Sequence, residues 1–308
     1  MSTRVVSLGG GHGLATVLTS LRALTSEITA VVTVADNGGS SGRLREEFGS
    51  LPPGDLRMAL AALCSDDEWG RSWAELMQYR FTSNGEMNGH AVGNLLLSAL
   101  WDKDGDPVAA LDRVGSLLKV VGRVLPMALD PLDIEGTFLH NGERQVVRGQ
   151  IQVARAAGKM ESLRLIPDHP QLCTQSLRAI SEADWITLGP GSWLSSVMPH
   201  RLLPELGKAI AQSAAKKILI FNMPEPESDQ EFAGYTVDEH LELLLNYLPD
   251  LTIAYGVVDR SALSADSNLQ VMIERLGGEL LIGDISQTQT PHHHDPKKLS
   301  RTFAHIFG

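Results

Sequence analysis

Apolar positions along the 308-residue chain fall into two rhythms. Residues 4–8 (RVVSL) are a short, nearly continuous apolar run, as in a strand buried on both faces. Residues 9–13 (GGGHG) interrupt it, and Leu14, Val17, Leu18, Leu21 and Leu24 then recur at helical spacing. Residues 28–35 (ITAVVTVA) are again apolar on both sides, which suits a parallel strand. Strand, glycine loop, helix and strand open a doubly wound α/β fold.

The alternation returns later. Residues 184–188 (DWITL) and 217–222 (KILIFN) read as strands, with a helix over 202–213 between them. A helix over 237–247, strands over 251–256 and 279–285, and a closing helix over 296–307 follow. The middle departs from this rhythm. Residues 55–121 are mostly helical in pattern, and 131–155 read as a β excursion turning at Asn141-Gly142, a strong hairpin signal. The expectation is one α/β domain over 1–308. It has a mostly parallel sheet, helices on both faces, and inserted helices and a β-hairpin around 55–165.

Composition narrows the function classes. Apolar content of 43 % and charged content of 20 % are ordinary for a globular chain and exclude disorder. A net charge of −11 argues against broad nucleic-acid binding, which needs a basic surface, but permits a local anion site. Cys64 and Cys173 read as reduced core residues of a cytosolic protein. Residues 1–8 are too short for a secretory h-region, and the apolar stretch 92–101 is far too short to span a membrane. The expectation is a cytoplasmic protein without membrane or nucleic-acid partners; a homodimer is left open. His292–His294 invite a metal reading. Three consecutive histidines cannot all face one ion in regular structure, and the prolines beside them suggest a surface loop.

Five stretches carry chemistry. The first is Gly9, Gly10, Gly11, His12 and Gly13, whose backbone can approach a phosphate at a helix start. The full G-x-G-x-x-G spacing and the P-loop motif are both absent, which disfavours a nicotinamide oxidoreductase and excludes a P-loop ATPase. The second strand then ends at Asp36, followed by Asn37, Gly38, Gly39, Ser40, Ser41, Gly42 and Arg43. An acid there suits a ribose hydroxyl and the glycines suit an anion nest, while either serine also suits a plain N-cap. Third comes PPGDLR, with Asp55 as an expected N-cap and Arg57 in a first turn. Arg43, Arg45 and Arg57 all stand against the helix dipole, which an anion would explain; pairing with Asp55 or Glu46 is the alternative. Lastly, Gly89–Asn94 (GHAVGN) opens a predicted helix with His90 and Asn94 on one face, and Gly189, Gly191 and Ser192 follow the 184–188 strand.

Together GGGHGL, TVADNGGSSGRLR, PPGDLR, QYRF, GHAVGNLLL, GRVLPM and LGPGSWLSSVMP resemble the YvcK/CofD-like family over residues 5–251, closest to its YvcK branch. The resemblance implies a Rossmann-like core with a nucleotide-diphosphate site built from the three glycine loops. The YvcK branch is associated with UDP-N-acetylglucosamine binding, cell shape and gluconeogenic growth. The CofD branch transfers a phospholactate-type group from a guanylylated donor to a deazaflavin, with Mg²⁺. In that branch Asp36 would hold the metal, and His90 or Asn94 would position the acceptor. This chain departs from the family pattern in three places. Asn37 replaces the second of two acids, which favours binding over metal-dependent transfer. His12 stands where the family usually has Thr, and residues 223–235 (MPEPESDQEFAGY) lack the expected Gln-Pro-Gly-Glu-Thr-like run.

Overall fold

The computed structural model describes residues 3–224 and 236–308. The chain starts as its pattern predicts, with β1 (Val5–Gly9), α1 (Gly11–Leu21) and β2 (Ile28–Val32). Then come five helices: α2 (Gly39–Phe48), α3 (Pro53–Ala62), α4 (Glu68–Gln78), α5 (Val92–Asp104) and α6 (Pro107–Leu118). β3 (Arg123–Pro126) returns to the sheet. β4 (Asp133–His140), β5 (Glu143–Arg148), α7 (Gln150–Ala154) and β6 (Lys159–Ile166) form the excursion, and α8 (Thr174–Glu182) leads back.

The second half alternates regularly. β7 (Trp185–Leu188), α9 (Met198–Leu202), α10 (Pro204–Gln212) and β8 (Lys216–Ile220) are followed by α11 (Val237–Tyr247) and β9 (Tyr255–Asp259). α12 (Leu269–Arg275), β10 (Glu279–Gly283) and α13 (Pro296–Phe307) close the chain.

Among the described residues, seven strands form a parallel sheet in the order β10-β9-β8-β7-β1-β2-β3. The chain runs outward from β1 through β2 to β3, then crosses back to lay β7 on the other side of β1. In open α/β sheets such a reversal places a ligand crevice at the carboxyl ends of the strands, here β1 and β7. Every residue of β1 and β7 is buried, so both faces of the central strands are covered, and one continuous apolar core runs through the sheet.

The hairpin signal is correct. β4 and β5 pair antiparallel around Asn141 (φ 51°) and Gly142 (φ 83°), both left-handed as a type I′ turn requires. β6 completes a separate three-stranded sheet. The strand expected over 251–256 lies further on, at Tyr255–Asp259. Leu251 and Ile253 are buried in the connection before it, so their apolarity marks core contact and not pairing. Cys64 and Cys173 are buried and free. No helix among the described residues is long and apolar enough to cross a membrane.

Candidate functional site

The first glycine loop is shorter than the sequence suggests because α1 already begins at Gly11, with Gly10 as its N-cap. Neither Gly10 nor the loop supplies a side-chain cap. α2 likewise begins at Gly39 after the N-cap Gly38, again without a side-chain cap. Ser40 and Ser41 are therefore inside the first turn, and neither is the cap that the sequence allowed. An uncapped helix start leaves backbone N–H groups without intrahelical acceptors, at the positive end of the dipole. Two such starts stand side by side after β1 and β2.

Close backbone approach explains the glycines. A Cβ on Gly13 would fall 2.2 Å from the Pro190 carbonyl oxygen, so α1 rests directly on the loop after β7. A Cβ on Gly10 would meet Asp55 Oδ2 at 2.4 Å, and one on Gly42 would meet the Asn37 carbonyl oxygen at 2.2 Å. Gly11 (φ +58°) and Gly39 (φ +47°) have open space around them and need glycine for conformation alone.

The dipole argument for the three arginines does not survive the observed helix starts. Arg43 and Arg57 are each the fifth residue of their helices, and Arg45 lies in the last turn of α2. Asp55 is the third residue of α3 and not its cap, which is Pro52. Arg45 pairs with Asp133 at 2.7 Å. Exposed Arg43 donates to the carbonyls of Glu86 (2.8 Å) and Asn88 (2.7 Å), tethering residues 80–90 to α2. Arg57 differs from both. It is 2 % exposed, donates through Nε to Asn94 Oδ1 at 2.8 Å, and keeps an enclosed Nη1 without a partner among the described residues.

Acids gather beside Arg57. Asp36 closes an Asx turn by accepting from the Gly38 N–H at 2.8 Å, and a Cβ on Gly54 would lie 2.9 Å from its Oδ2. Partly buried Asp55 accepts from the Gly11 backbone N–H. Burial and then the Asp36 charge raise the Asp55 carboxyl to about 7, against the opposing Gly11 bond and the Arg57 charge. Burial first, then Arg80, lowers Arg57 to about 10 despite both acids. Asn37 does not join the pair: a Cβ on Gly149 would lie 2.6 Å from its Nδ2, and its buried Oδ1 has no partner among the described residues. Asp55 brings a second carboxyl near Asp36, where position 37 has an amide.

His90 precedes α5 and does not sit inside it, yet it meets Asn94 through Ser40: Ser40 Oγ lies 3.0 Å from His90 Nδ1 and 2.9 Å from Asn94 Nδ2. The loop after β7 is held internally. Gly191 exchanges two bonds with the Asn222 side-chain amide, and Ser192 caps the turn Trp193–Val197 by accepting from the Ser195 N–H.

Three contributors were missed in the sequence. Arg80, inside the quoted QYRF motif, acts on Arg57, His12 and His90 and donates to the Gly89 carbonyl at 2.8 Å. Thr33 stands just beyond β2 against Gly10, with an enclosed Oγ1 that has no partner among the described residues. Asn222 clamps the β7 loop. Arg80 and Thr33 had a signal in the quoted motifs QYRF and TVADNGGSSGRLR; Asn222 had none.

His12 is exposed at the mouth, and its pKa is lowered by lost hydration and then by His293, Arg57 and Arg80. The histidine run is not a plain surface loop. His294 is buried and bonds the Phe221 carbonyl, His292 bonds the Pro224 carbonyl, and His293 lies near His12. The 223–235 departure falls almost wholly outside the described residues, from 225 onward. Among the described residues no three His, Cys, Asp or Glu side chains are grouped to hold a metal.

The chain is similar to known proteins. The family model described as 2-phospho-L-lactate transferase CofD matches residues 5–305. A Mycobacterium tuberculosis protein, named a candidate gluconeogenesis factor, is 44 % identical over 308 residues, covering 97 % of this chain and 89 % of its own. The protein of Halalkalibacterium halodurans named gluconeogenesis factor is 36 % identical over 255 residues, covering 83 % and 75 %. A crystal structure of a upf0052 family member from Bacillus halodurans superposes with a TM-score of 0.86 at 31 % identity, covering 99 % of both chains.

Proposed function

The chain belongs to the CofD family, and from that premise we propose that the crevice binds a nucleoside-diphosphate-linked ligand of the UDP-sugar type in a regulatory role. The observation that carries this reading is the pair of helix starts after β1 and β2 whose glycine N-caps supply no side chain, the Gly11 N–H of the first being held by Asp55, at the sheet's switch point. Backbone N–H groups of His12, Gly13, Gly39, Ser40 and Ser41 would receive the diphosphate. The unpartnered Arg57 Nη1 would add a charge-assisted bond, with exposed Arg80 and His12 at the mouth. Thr33 Oγ1 and Asp36 offer polar contacts to a ligand hydroxyl. The relatives named gluconeogenesis factors support a link to gluconeogenic growth.

One observation favours a second reading, a CofD-like transfer from a guanylylated donor. Asp36 and Asp55 are close enough for one charge to raise the other's pKa, and a divalent cation would relieve that repulsion. The pair therefore fits Mg²⁺ completed by ligand phosphates and water. A bound cation would neutralise charge on a transferred phosphate group; the chain's part is to hold the diphosphate and orient the acceptor.

Ligand-dependent thermal unfolding separates the two. A specific ligand at about 100 times its dissociation constant should stabilise the fold by about 2.7 kcal/mol. Stabilisation by UDP-N-acetylglucosamine supports the first reading. No effect from it, with stabilisation by GDP and Mg²⁺, replaces the first reading with the second.

A further inference from the structure

The hydrogen bonds between Arg57 and His90 admit one direction only. A guanidinium donates and never accepts, and Arg57 Nε lies 2.8 Å from Asn94 Oδ1. That fixes the Asn94 amide, because the reversed amide would set two donors against each other. Asn94 Nδ2 then donates to Ser40 Oγ at 2.9 Å. The Ser40 hydroxyl has one proton left to give, and its remaining neighbour is His90 Nδ1 at 3.0 Å. Ser40 is 4 % exposed and has no other hydrogen-bond acceptor among the described residues, so this proton has nowhere else to go.

We propose that Ser40 and Asn94 are positioning residues that hold His90 as the neutral imidazole with its proton on Nε2, so that His90 meets the ligand as a hydrogen-bond donor. A base at Nε2 would need the proton on Nδ1, which would strand the Ser40 hydroxyl proton in a buried place. Nε2 takes no part in the chain of bonds, and His90 keeps 7 % exposure. Arg80 lies near His90, Arg57 and His12 alike, which puts His90 on the same crevice. The fitting ligand atom is an oxygen acceptor, phosphoryl or carbonyl, and not a hydroxyl awaiting deprotonation. This ligand half rests on the crevice being the binding site; the tautomer half does not.

Nitrogen-15 NMR of histidine-labelled protein near neutral pH decides the tautomer. The expected His90 signature is an unprotonated Nδ1 and a protonated Nε2. Asn94→Asp should reverse it, since a carboxylate accepts from both Arg57 and Ser40 and leaves Ser40 to accept from His90 Nδ1. A wild-type protein protonated at Nδ1 overturns the proposal, as does a folded Asn94→Asp protein with the wild-type signature. Should that variant fail to fold, Ser40→Thr must keep the wild-type Nδ1 resonance, which the accepted hydrogen bond displaces, and Ser40→Ala must move it; equal Nδ1 resonances in the two overturn the proposal. For the ligand half, UDP-N-acetylglucosamine and GDP with Mg²⁺ are the probes. His90→Ala should weaken whichever binds by roughly tenfold, and His90→Gln, which keeps a donor, should restore most of that loss. Equal affinities for wild type and His90→Ala overturn the ligand half. If wild type binds neither probe, the ligand half falls with the site reading, and the spectra alone decide the tautomer.

Discussion

Gly13 lies so close to Pro190 that a Cβ would come within 2.2 Å of the Pro190 carbonyl oxygen. This contact brings the loop after β1 against the loop after β7 and closes the floor of the crevice. Gly13→Ala must push backbone away from backbone, which no rotamer change relieves. We expect it to cost about 1–3 kcal/mol and to weaken ligand binding as well. Gly11→Ala, in open space but at φ +58°, should cost about 1–2 kcal/mol and leave the β1 and β7 loops in contact. Denaturant melts and ligand titrations of both variants check this; a Gly13→Ala protein as stable as wild type would show that the loops can part freely.

Asp55 makes stability depend on pH in an unusual direction. Its folded carboxyl titrates at about 7, above the ordinary 3.8, so the native state binds the proton more tightly than the unfolded chain. Its contribution is therefore fully present below about 3.8 and is lost as pH rises towards 7. Asp55→Asn keeps an acceptor for the Gly11 N–H and does not ionise. Its stability relative to wild type should climb between pH 4 and 7 and then level off. A difference that stays flat across that range would rule out the shift.

Buried histidines act on the acid side. His200 and His294 are held neutral, each lowered from 6.5 to about 4, with burial the leading cause. The unfolded chain then binds protons that the native state refuses. Stability should fall as pH drops from 6.5 through about 4. His200→Gln retains a donor for the Val31 carbonyl, which His200 Nε2 meets at 2.9 Å, and should flatten part of that fall. An unchanged acid limb in this variant would remove His200 from the account.

Arg57 and Arg43 should behave differently although the sequence pattern marks both as anion contacts. Arg57→Met leaves Asn94 Oδ1 without its donor in a buried place and removes the cation beside Asp36 and Asp55. A stability loss of about 1–3 kcal/mol should accompany a binding loss of tenfold or more. Arg43→Ala frees the carbonyls of Glu86 and Asn88 at the surface, with little loss of stability. Hydrogen exchange should quicken over residues 82–90 in that variant, and nucleotide affinity should fall. Unchanged affinity would limit Arg43 to holding the loop.

Much of the fold can be read from short-range pattern. Buried runs at 4–8, 28–35, 184–188 and 217–222 each hold a strand of the parallel sheet, because a strand covered on both faces must be apolar throughout. Helices over 237–247 and 296–307 have clear period and caps, Thr236 and Asp295, and both are where the pattern puts them. β6 escapes notice because much of it faces solvent, and β3 because it has only four residues. Helix starts were misjudged where glycine precedes the apolar period, since α1 and α2 begin on glycines that sequence rules assign to loops.

By itself the sequence marked the candidate loops: the glycines within 9–13, 38–42 and 189–191 need a reason, and backbone approach to a partner is a local, legible one. What it could not determine was how those loops meet. Asp55 beside Asp36, Arg57 buried on Asn94, and Ser40 between Asn94 and His90 join residues far apart along the chain. Charge coupling and hydrogen-bond direction depend on distances through space, and only the strand reversal at β1 and the packing of α1, α2, α3 and α5 set those distances.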